Sequence, residues 1–538
     1  MTRQDTDAAP DTDCDVIVVG AGFAGMYMLH RLRGLGLRAL AIEAGSGVGG
    51  TWYWNRYPGA RCDGESMFYS YKFDDDLQQE WNWTERYARQ PEILSYANHV
   101  ADRFDLRRDI RFSTRVTAAT WDDAAMRWSI ETDAGDRLSA QHVVLAVGCL
   151  SSPIRPRIAG VDDFRGAVYH TGEWPHEGVD FTGLKVGVIG TGSSAIQAIP
   201  MIARQAESLT VFQRTPNYVV PAQNRPLDPA EVADMKARYG ELRAMAHATR
   251  TGNPFDINPQ SALAVSEEER NGEYEKRWQI GGLIFMTSFN DLHSNAEANE
   301  TAAEFVRNKI RGIVDDPATA ELLCPHDAFG CKRLCVDTGY YETYNRPNVR
   351  LVDVGSTPVE RLTPDGLTVA GTEYAFDAIV FATGFDAMTG SILKIDIRGR
   401  DGLALRDAWE DGPRAYLGLG VAGFPNLFTI TGPQSPSVLT NMIPTIEQHV
   451  EWIADCLGWL RDKGVATIEA DPAAQESWVD HSNAVAETTL RLSCNSWYVG
   501  ANVPGKPRVF MPYIAGMPAY RDKCDAVAAA GYEGFRLG

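Results

Sequence analysis

The chain has 538 residues, more than one ordinary domain holds, so two or three domains are expected. Its 44% hydrophobic and 23% charged content are those of a globular protein, and a net charge of −20 with no basic stripe argues against nucleic acid as a partner. No apolar run is long enough to span a bilayer, no signal-peptide pattern opens the chain, and nine scattered cysteines point to free thiols in a reducing cytoplasm.

Residues 1–13 are polar and acidic and are expected to form a disordered tail. The pattern then changes. Residues 16–19 are a β-branched run suited to a buried parallel strand. Gly20, Gly22 and Gly25 follow as G-x-G-x-x-G around Phe23, and Met28, Leu29 and Leu32 then share one helical face. A second strand, 38–42, ends in Glu43. Glycines allow a tight turn and close approach of backbone to pyrophosphate, and the helix N-terminus favours the phosphate charge. Glu43 is placed to accept hydrogen bonds from a ribose diol, which selects FAD or NAD.

Residues 184–215 repeat the pattern with differences. Gly190, Thr191 and Gly192 precede Ser193 and Ser194, and Ala195 takes the third glycine position. The following strand, 209–213, ends in Arg214 rather than an acid. A guanidinium there favours a 2′-phosphate, hence NADPH, unless it merely pairs with surface acids. One FAD-type and one NADP-type site predict a flavin enzyme reduced by NADPH. The apolar runs 142–148 and 378–386 end in small residues, as strands do beside a bound dinucleotide. Cys331 and Cys335 are close in sequence but lack a second ligand pair, so no metal site is expected.

Between 225 and 330 the chain turns polar and helix-like, with an exposed helix expected at SEEERNGEYEKRW. Residues 446–464 place Ile446, Val450, Ile453, Leu457 and Leu460 on one face, with Gly464 as a stop signal, and read as a core helix.

One stretch between the two glycine loops fits none of these roles. Phe164, Gly166, His170 and Trp174 in FRGAVYHTGEWP resemble the F-x-G-x-x-x-H-x-x-x-W fingerprint of the Baeyer–Villiger monooxygenases, flavoproteins that insert oxygen beside a ketone carbonyl. GVGGTWYWNRYPGARCD (47–63), GCKRLCVDTGYYETYNRPNV (330–349), ATGFDAMTG (382–390), GPQSPSVLTNM (432–442) and NSWYVGANVPGKPR (495–508) are similar to segments of the same family. The resemblance covers residues 14–538.

It implies an α/β fold with two Rossmann-like domains, for FAD and NADP, and a helical insertion in the second. The FAD domain is expected at 14–150 and again at 379–538, the NADP domain at 151–224 and 331–378, and the insertion at 225–330. The implied reaction turns ketones into esters or lactones with NADPH and O₂ through a C4a-peroxyflavin. Arg333 matches the catalytic arginine and Asp63 the carboxylate that holds it. Lys332 matches a phosphate contact beside Arg214, while Thr215 and Gln197 match further NADP contacts. Trp497 matches an indole that bonds the nicotinamide ribose. Phe23, Thr51, Trp52, Arg61, Tyr69, Val116 and Met442 match other cofactor positions. Gly64, Leu150, Ser437, Val438, Leu439 and Met442 match positions near the substrate. His170 is expected to hold the connection between the domains rather than to act as a base. The expected partners are a small ketone and O₂, with the chain a monomer.

Two rival readings stand beside this. An N- or S-oxygenating flavin monooxygenase carries a similar motif, against which Trp174–Pro175 and the Lys332–Arg333 pair count. A redox sensor or binding module is disfavoured by the intact glycines, Arg214 and Arg333. No C-x₄-C or C-x-x-C pair near a flavin motif supports disulfide reductase activity.

Overall fold

The structure, a computed structural model, describes residues 13–538. The expected tail lies outside the described residues except Asp13, which opens the first strand, Asp13–Val19.

Two sheets organise the chain. In the eight-stranded sheet, Asp13–Val19 lies between Ala39–Ile42 and Arg137–Leu145 and runs parallel to both, with Val16 opposite Ala39 and His142. Leu427–Thr429 returns late in the chain to pair in parallel with Arg137–Leu145. Val16, Ile17 and Val18 are fully buried, as a central parallel strand covered on both faces requires. In the five-stranded sheet the order is Val349–Asp353, Ser208–Gln213, Lys185–Ile189, Ala378–Phe381, Ala167–His170, all parallel. The glycine loops lead from Asp13–Val19 into the helix Phe23–Gly34 and from Lys185–Ile189 into the helix Ser193–Gln205.

Two expectations need correction. The boundary placed at 378/379 cuts the strand Ala378–Phe381, which belongs wholly to the second sheet between Lys185–Ile189 and Ala167–His170. A four-residue apolar run carries no mark of which parallel sheet it joins. The cysteines are not all free: Cys331 and Cys494 are paired, with Cα atoms 6.2 Å apart, while Cys62, Cys149, Cys324, Cys335, Cys456 and Cys524 are buried free thiols. Their separation of 163 residues hid the pairing.

Residues 225–330 contain the helices Pro229–Ala237, Tyr239–Ala248, Glu267–Ile280, Ala296–Ile313 and Pro317–Leu323. Ser266 and Glu269 form a reciprocal capping box on the third of these, which is largely exposed but buries Tyr274 and Trp278. The helix Met442–Lys463 buries the five residues expected on its inner face, and Gly464 ends it in the left-handed conformation. No helix among the described residues is long and apolar enough to cross a membrane.

That helix also buries a carboxyl completely. Glu447 Oε1 accepts the Lys72 backbone N–H at 2.6 Å, while Oε2 has no partner. Burial pushes its pKa up to about 7, although Lys72 and Arg243 pull the other way. A carboxyl whose folded pKa is raised favours folding when protonated, and that contribution fades as pH rises through the folded value. We therefore expect Glu447→Gln, which keeps an oxygen for Lys72, to melt no lower than wild type at pH 8. Its advantage should shrink or reverse at pH 5. A melting-temperature difference that is the same at both pH values contradicts this.

Candidate active site

Both glycine loops are shaped by a neighbouring strand. Gly20 has φ +104°, and a Cβ there would lie 2.6 Å from the Ala146 carbonyl oxygen. Gly190, with φ +116°, has the same relation to Ala382 at 2.4 Å. Any side chain at either position would meet both backbone strain and a carbonyl. The small residues that close 142–148 and 378–386 thus abut the two loops.

At the first loop, Glu43 Oε2 accepts the Ala21 N–H and Oε1 the Gly45 N–H, both at 2.7 Å. The carboxylate is buried, which raises its pKa against the pull of those amides. A carboxylate offers about four acceptor sites, so two remain for a diol. Gly49 N–H donates to Ala21 O, laying the turn before the helix Thr51–Trp54 against the loop. Thr51 is exposed there. Trp52 is buried and its indole donates to the Tyr69 hydroxyl at 3.1 Å. Phe23 lies within ring contact of Tyr69. Val116 is a buried strand residue packed in the core on this sheet.

At the second loop, Thr191 Oγ1 donates to Thr215 O and Asn217 Nδ2 to Thr191 O, which fastens the segment carrying Arg214 onto the loop. Arg214 is exposed and has no carboxylate partner among the described residues, so the alternative of a surface ion pair finds no support there. Ser193 Oγ contacts Cys335 Sγ, and Ser194 bonds the Tyr57 hydroxyl. Gln197 is committed to the protein. Its Oε1 accepts from the Tyr57 hydroxyl and the Arg61 N–H, and its Nε2 donates to Arg61 O. Arg61 itself reaches Glu85. Gln197, matched to a cofactor contact, thus clasps the first unit to the helix of the second.

Arg333 and Asp63 meet across 270 residues of sequence. Arg333 Nε and Nη2 donate to the two Asp63 oxygens, each at 2.8 Å, and Nη1 donates to Val438 O at 2.8 Å. Burial alone would push the guanidinium down, but Asp63 and the hydrogen-bonded Tyr498 hold it above its ordinary value. The site therefore keeps a permanent, oriented cation. Beside it, Leu150, Val438, Leu439, Met442 and Trp497 gather in one apolar cluster with Tyr498. Ser437 is fully buried and Gly64 stands next to Asp63. The Trp497 ring packs 4.2 Å from Tyr498, and its indole N–H makes no hydrogen bond among the described residues. Lys332 is ion-paired with Asp327 in a crevice shared with Asn217, Tyr218 and Arg333.

The reading of the sequence missed Tyr57, Asn217 and Tyr498. Tyr498 had one signal, its place beside Trp497 in NSWYVG.

His170 is a linker residue. It is buried, Nδ1 accepts the Gly172 N–H, and Nε2 therefore carries the proton, facing Ile154 O and Thr383 Oγ1. Thr383 Oγ1 donates to the same Ile154 oxygen. Phe164 and Trp174 are core residues of the second unit, and a Cβ on Gly166 would strike the Phe164 ring. The fingerprint thus holds the connecting segment against the end of Ala378–Phe381.

Comparisons agree with this geometry. Residues 17–249 match the family model described as pyridine nucleotide-disulphide oxidoreductase. The paired Cys331 and Cys494 lie outside that match. A solved structure of an oxidised steroid monooxygenase bound to NADP is 55% identical, with a TM-score of 0.94, covering 98% of this chain and 99% of that one. A Baeyer–Villiger monooxygenase from Pseudooceanicola batsensis is 43% identical over 97% of this chain and 95% of its own length. A phenazine N-monooxygenase from Lysobacter antibioticus is also 43% identical, over 98% and 97%.

The unpaired Arg214 generates a prediction. Arg214→Ala should raise the KM for NADPH about ten- to a hundredfold through loss of one charge-assisted phosphate contact. The KM for NADH should change little. An unchanged NADPH/NADH preference removes Arg214 from the phosphate site.

Proposed function

The chain belongs to the Baeyer–Villiger monooxygenases, FAD- and NADP-dependent enzymes that convert ketones to esters or lactones with O₂, and on that premise we propose that the Arg333–Asp63 pair is its catalytic charge. The observation that carries this is the bidentate contact that fixes a half-buried guanidinium beside an apolar wall.

Both cofactors fit the residues present. The first loop offers a close backbone approach, a helix N-terminus and Glu43; the second offers Arg214 without a competing acid. Bound FAD, reduced by NADPH, supplies the activation of O₂, and the side chains do the rest. Arg333 faces the negative charge that develops during oxygen insertion without giving up a proton, because guanidinium stays charged. Asp63 and Val438 O stop it from rotating, so no reorganisation is needed when charge appears. Leu150, Val438, Leu439 and Met442 exclude water, which strengthens the field of Arg333 and receives the hydrocarbon part of the ketone. Trp497 offers its free indole N–H to the nicotinamide ribose. Lys332 joins Arg214 at the phosphate by exchanging Asp327 for it. Phe23, Thr51, Trp52, Tyr69, Val116 and Met442 line the FAD side, Gln197 and Arg61 joining the units behind it.

We assign the FAD-binding unit to 14–150 with the return after Phe381, and the NADP-binding unit to 151–224 and 331–381, with the helices of 225–330 as its insertion. The assembly we propose is a monomer. The NADPH that Arg214 selects is a cytoplasmic reductant, in keeping with that location.

The phenazine N-monooxygenase keeps a second reading open, since comparable identity accompanies oxygen transfer to nitrogen in that protein. A panel of linear, cyclic, aryl and steroid ketones with phenazine decides between them. Esters or lactones are expected; N-oxide as the sole product favours the second reading.

Arg333→Ala should still pass electrons from NADPH to FAD, while ester formation falls about a hundredfold or more and H₂O₂ takes its place. Arg333→Lys should not rescue it, because an ammonium cannot make the two-point contact with Asp63. Anaerobic reduction kinetics with product analysis in air read both steps. Substantial ester from Arg333→Ala would falsify the assignment.

A further inference from the structure

The pairing of Cys331 with Cys494 joins two segments that carry separate parts of the site. Cys331 lies two residues before Arg333, and Cys494 three before Trp497. The segment after Cys494 has one short helical turn, Trp497–Val499, and otherwise only loops and tight turns as far as Arg508. Its far half is held by Asn502 Nδ2 donating to Phe385 O and Lys506 Nζ to Asp386. Its near half is tied to the Arg333 side by the cysteine pair, and just before that pair Leu490 N–H donates to His293 O of the insertion.

We propose that Cys331 and Cys494 form a reversible disulfide that tethers the Trp497 segment to the Arg333 loop and so sets how tightly NADP⁺ is held. The proposal rests on the assignment of Trp497 to that cofactor. In a reducing cytoplasm the resting pair is two thiols, and the bond forms when an oxidant is present.

The oxidant is hydrogen peroxide, which the enzyme itself releases when NADPH and O₂ are consumed without ketone. The half-buried Cys494 thiolate attacks the peroxide; the O–O bond breaks, one water leaves and a sulfenic acid remains. Cys331, almost wholly buried, resolves it: its thiolate attacks the sulfenic sulfur, the S–O bond breaks, the S–S bond forms and a second water leaves. Two thiols are oxidised to one disulfide and one peroxide is reduced to two waters. Cys331 and Cys494 face each other with Cα atoms 6.2 Å apart, whereas burial raises the thiols of Cys62, Cys149 and Cys335 even against the pull of Arg333.

The consequence is a feedback. With the bond open, the near half of the Trp497 segment loses its covalent tie, NADP⁺ is held less firmly and more NADPH is diverted to peroxide. The peroxide closes the bond, and the tethered segment restores retention by raising the effective concentration of the indole at its partner.

To test this, FAD-loaded enzyme is treated with H₂O₂ or with a phosphine reductant, cleared of reagent and digested without reductant for mass mapping. NADP⁺ dissociation constants and the peroxide share of NADPH consumption are measured on the same samples. We expect a linked 331–494 peptide pair only after peroxide. Reduction should weaken NADP⁺ binding on the order of tenfold and raise the peroxide share. Cys331→Ser and Cys494→Ser should behave as the reduced enzyme under both treatments. Absence of the linked pair after peroxide overturns the proposal, as do equal dissociation constants in the two states or serine variants that still respond to reductant. Trp497→Ala separates the two assignments. If it leaves NADP⁺ binding unchanged while reduction still shifts the wild type, Trp497 is misassigned and the tether stands. If it weakens binding while reduction does nothing, the tether is overturned.

Discussion

The two-point contact between Arg333 and Asp63 is where the architecture converges. Asp63 belongs to the loop that follows the helix Thr51–Trp54 of the first unit, and Arg333 to the stretch just before Cys335–Asp337 beside the second glycine loop. A guanidinium and a carboxylate meet in a planar fork only if both backbones arrive within a few tenths of an ångström of one geometry. The pair therefore reports on the docking of the two units as a whole. Val438 O, from a third segment, closes the remaining direction.

Around this point the units are joined by polar contacts as well as apolar ones. Gln197 binds both Tyr57 and Arg61, and His170, Thr383 and Ile154 O form a closed set at the connecting segment. Apolar surfaces can slide over one another with little penalty, whereas a buried amide or imidazole left unpaired costs about 1–3 kcal/mol. Such contacts specify one arrangement and resist intermediate ones. That suits a site in which a charge must stand at a fixed place.

Much of this was legible in the sequence, and what was legible was local. G-x-G-x-x-G, Glu43 and Arg214 are readable because their spacing follows from strand, turn and helix geometry within thirty or so residues. Gly20 and Gly190 are demanded by their own φ angles and by a carbonyl from a distant strand, and only the first half of that demand shows locally. The inner face of Met442–Lys463 follows from the helical period. Asp63 and Arg333 were found through resemblance, since nothing in their local spacing connects residues 63 and 333. Asn217 and Tyr57 act through hydrogen bonds to a backbone carbonyl and to an amide, which leave no periodic trace. The unit boundary was misplaced at Ala378–Phe381 because an apolar strand reads the same in either parallel sheet.

The cysteines show the opposite limit. Composition argued for free thiols throughout, and Cys62, Cys149, Cys324, Cys335, Cys456 and Cys524 keep to that. The pair that departs from that rule sits where two chain segments converge on one site, not where a fold short of hydrophobic core needs a staple. A chain of this size buries several large apolar clusters and does not need one. A crosslink that the core does not require, placed beside the residues that carry the chemistry, is better explained by what it constrains locally than by global stability. The local constraint is on Trp497 and Arg333, which must be in place together for an NADP⁺-holding segment and a fixed cation to share one site.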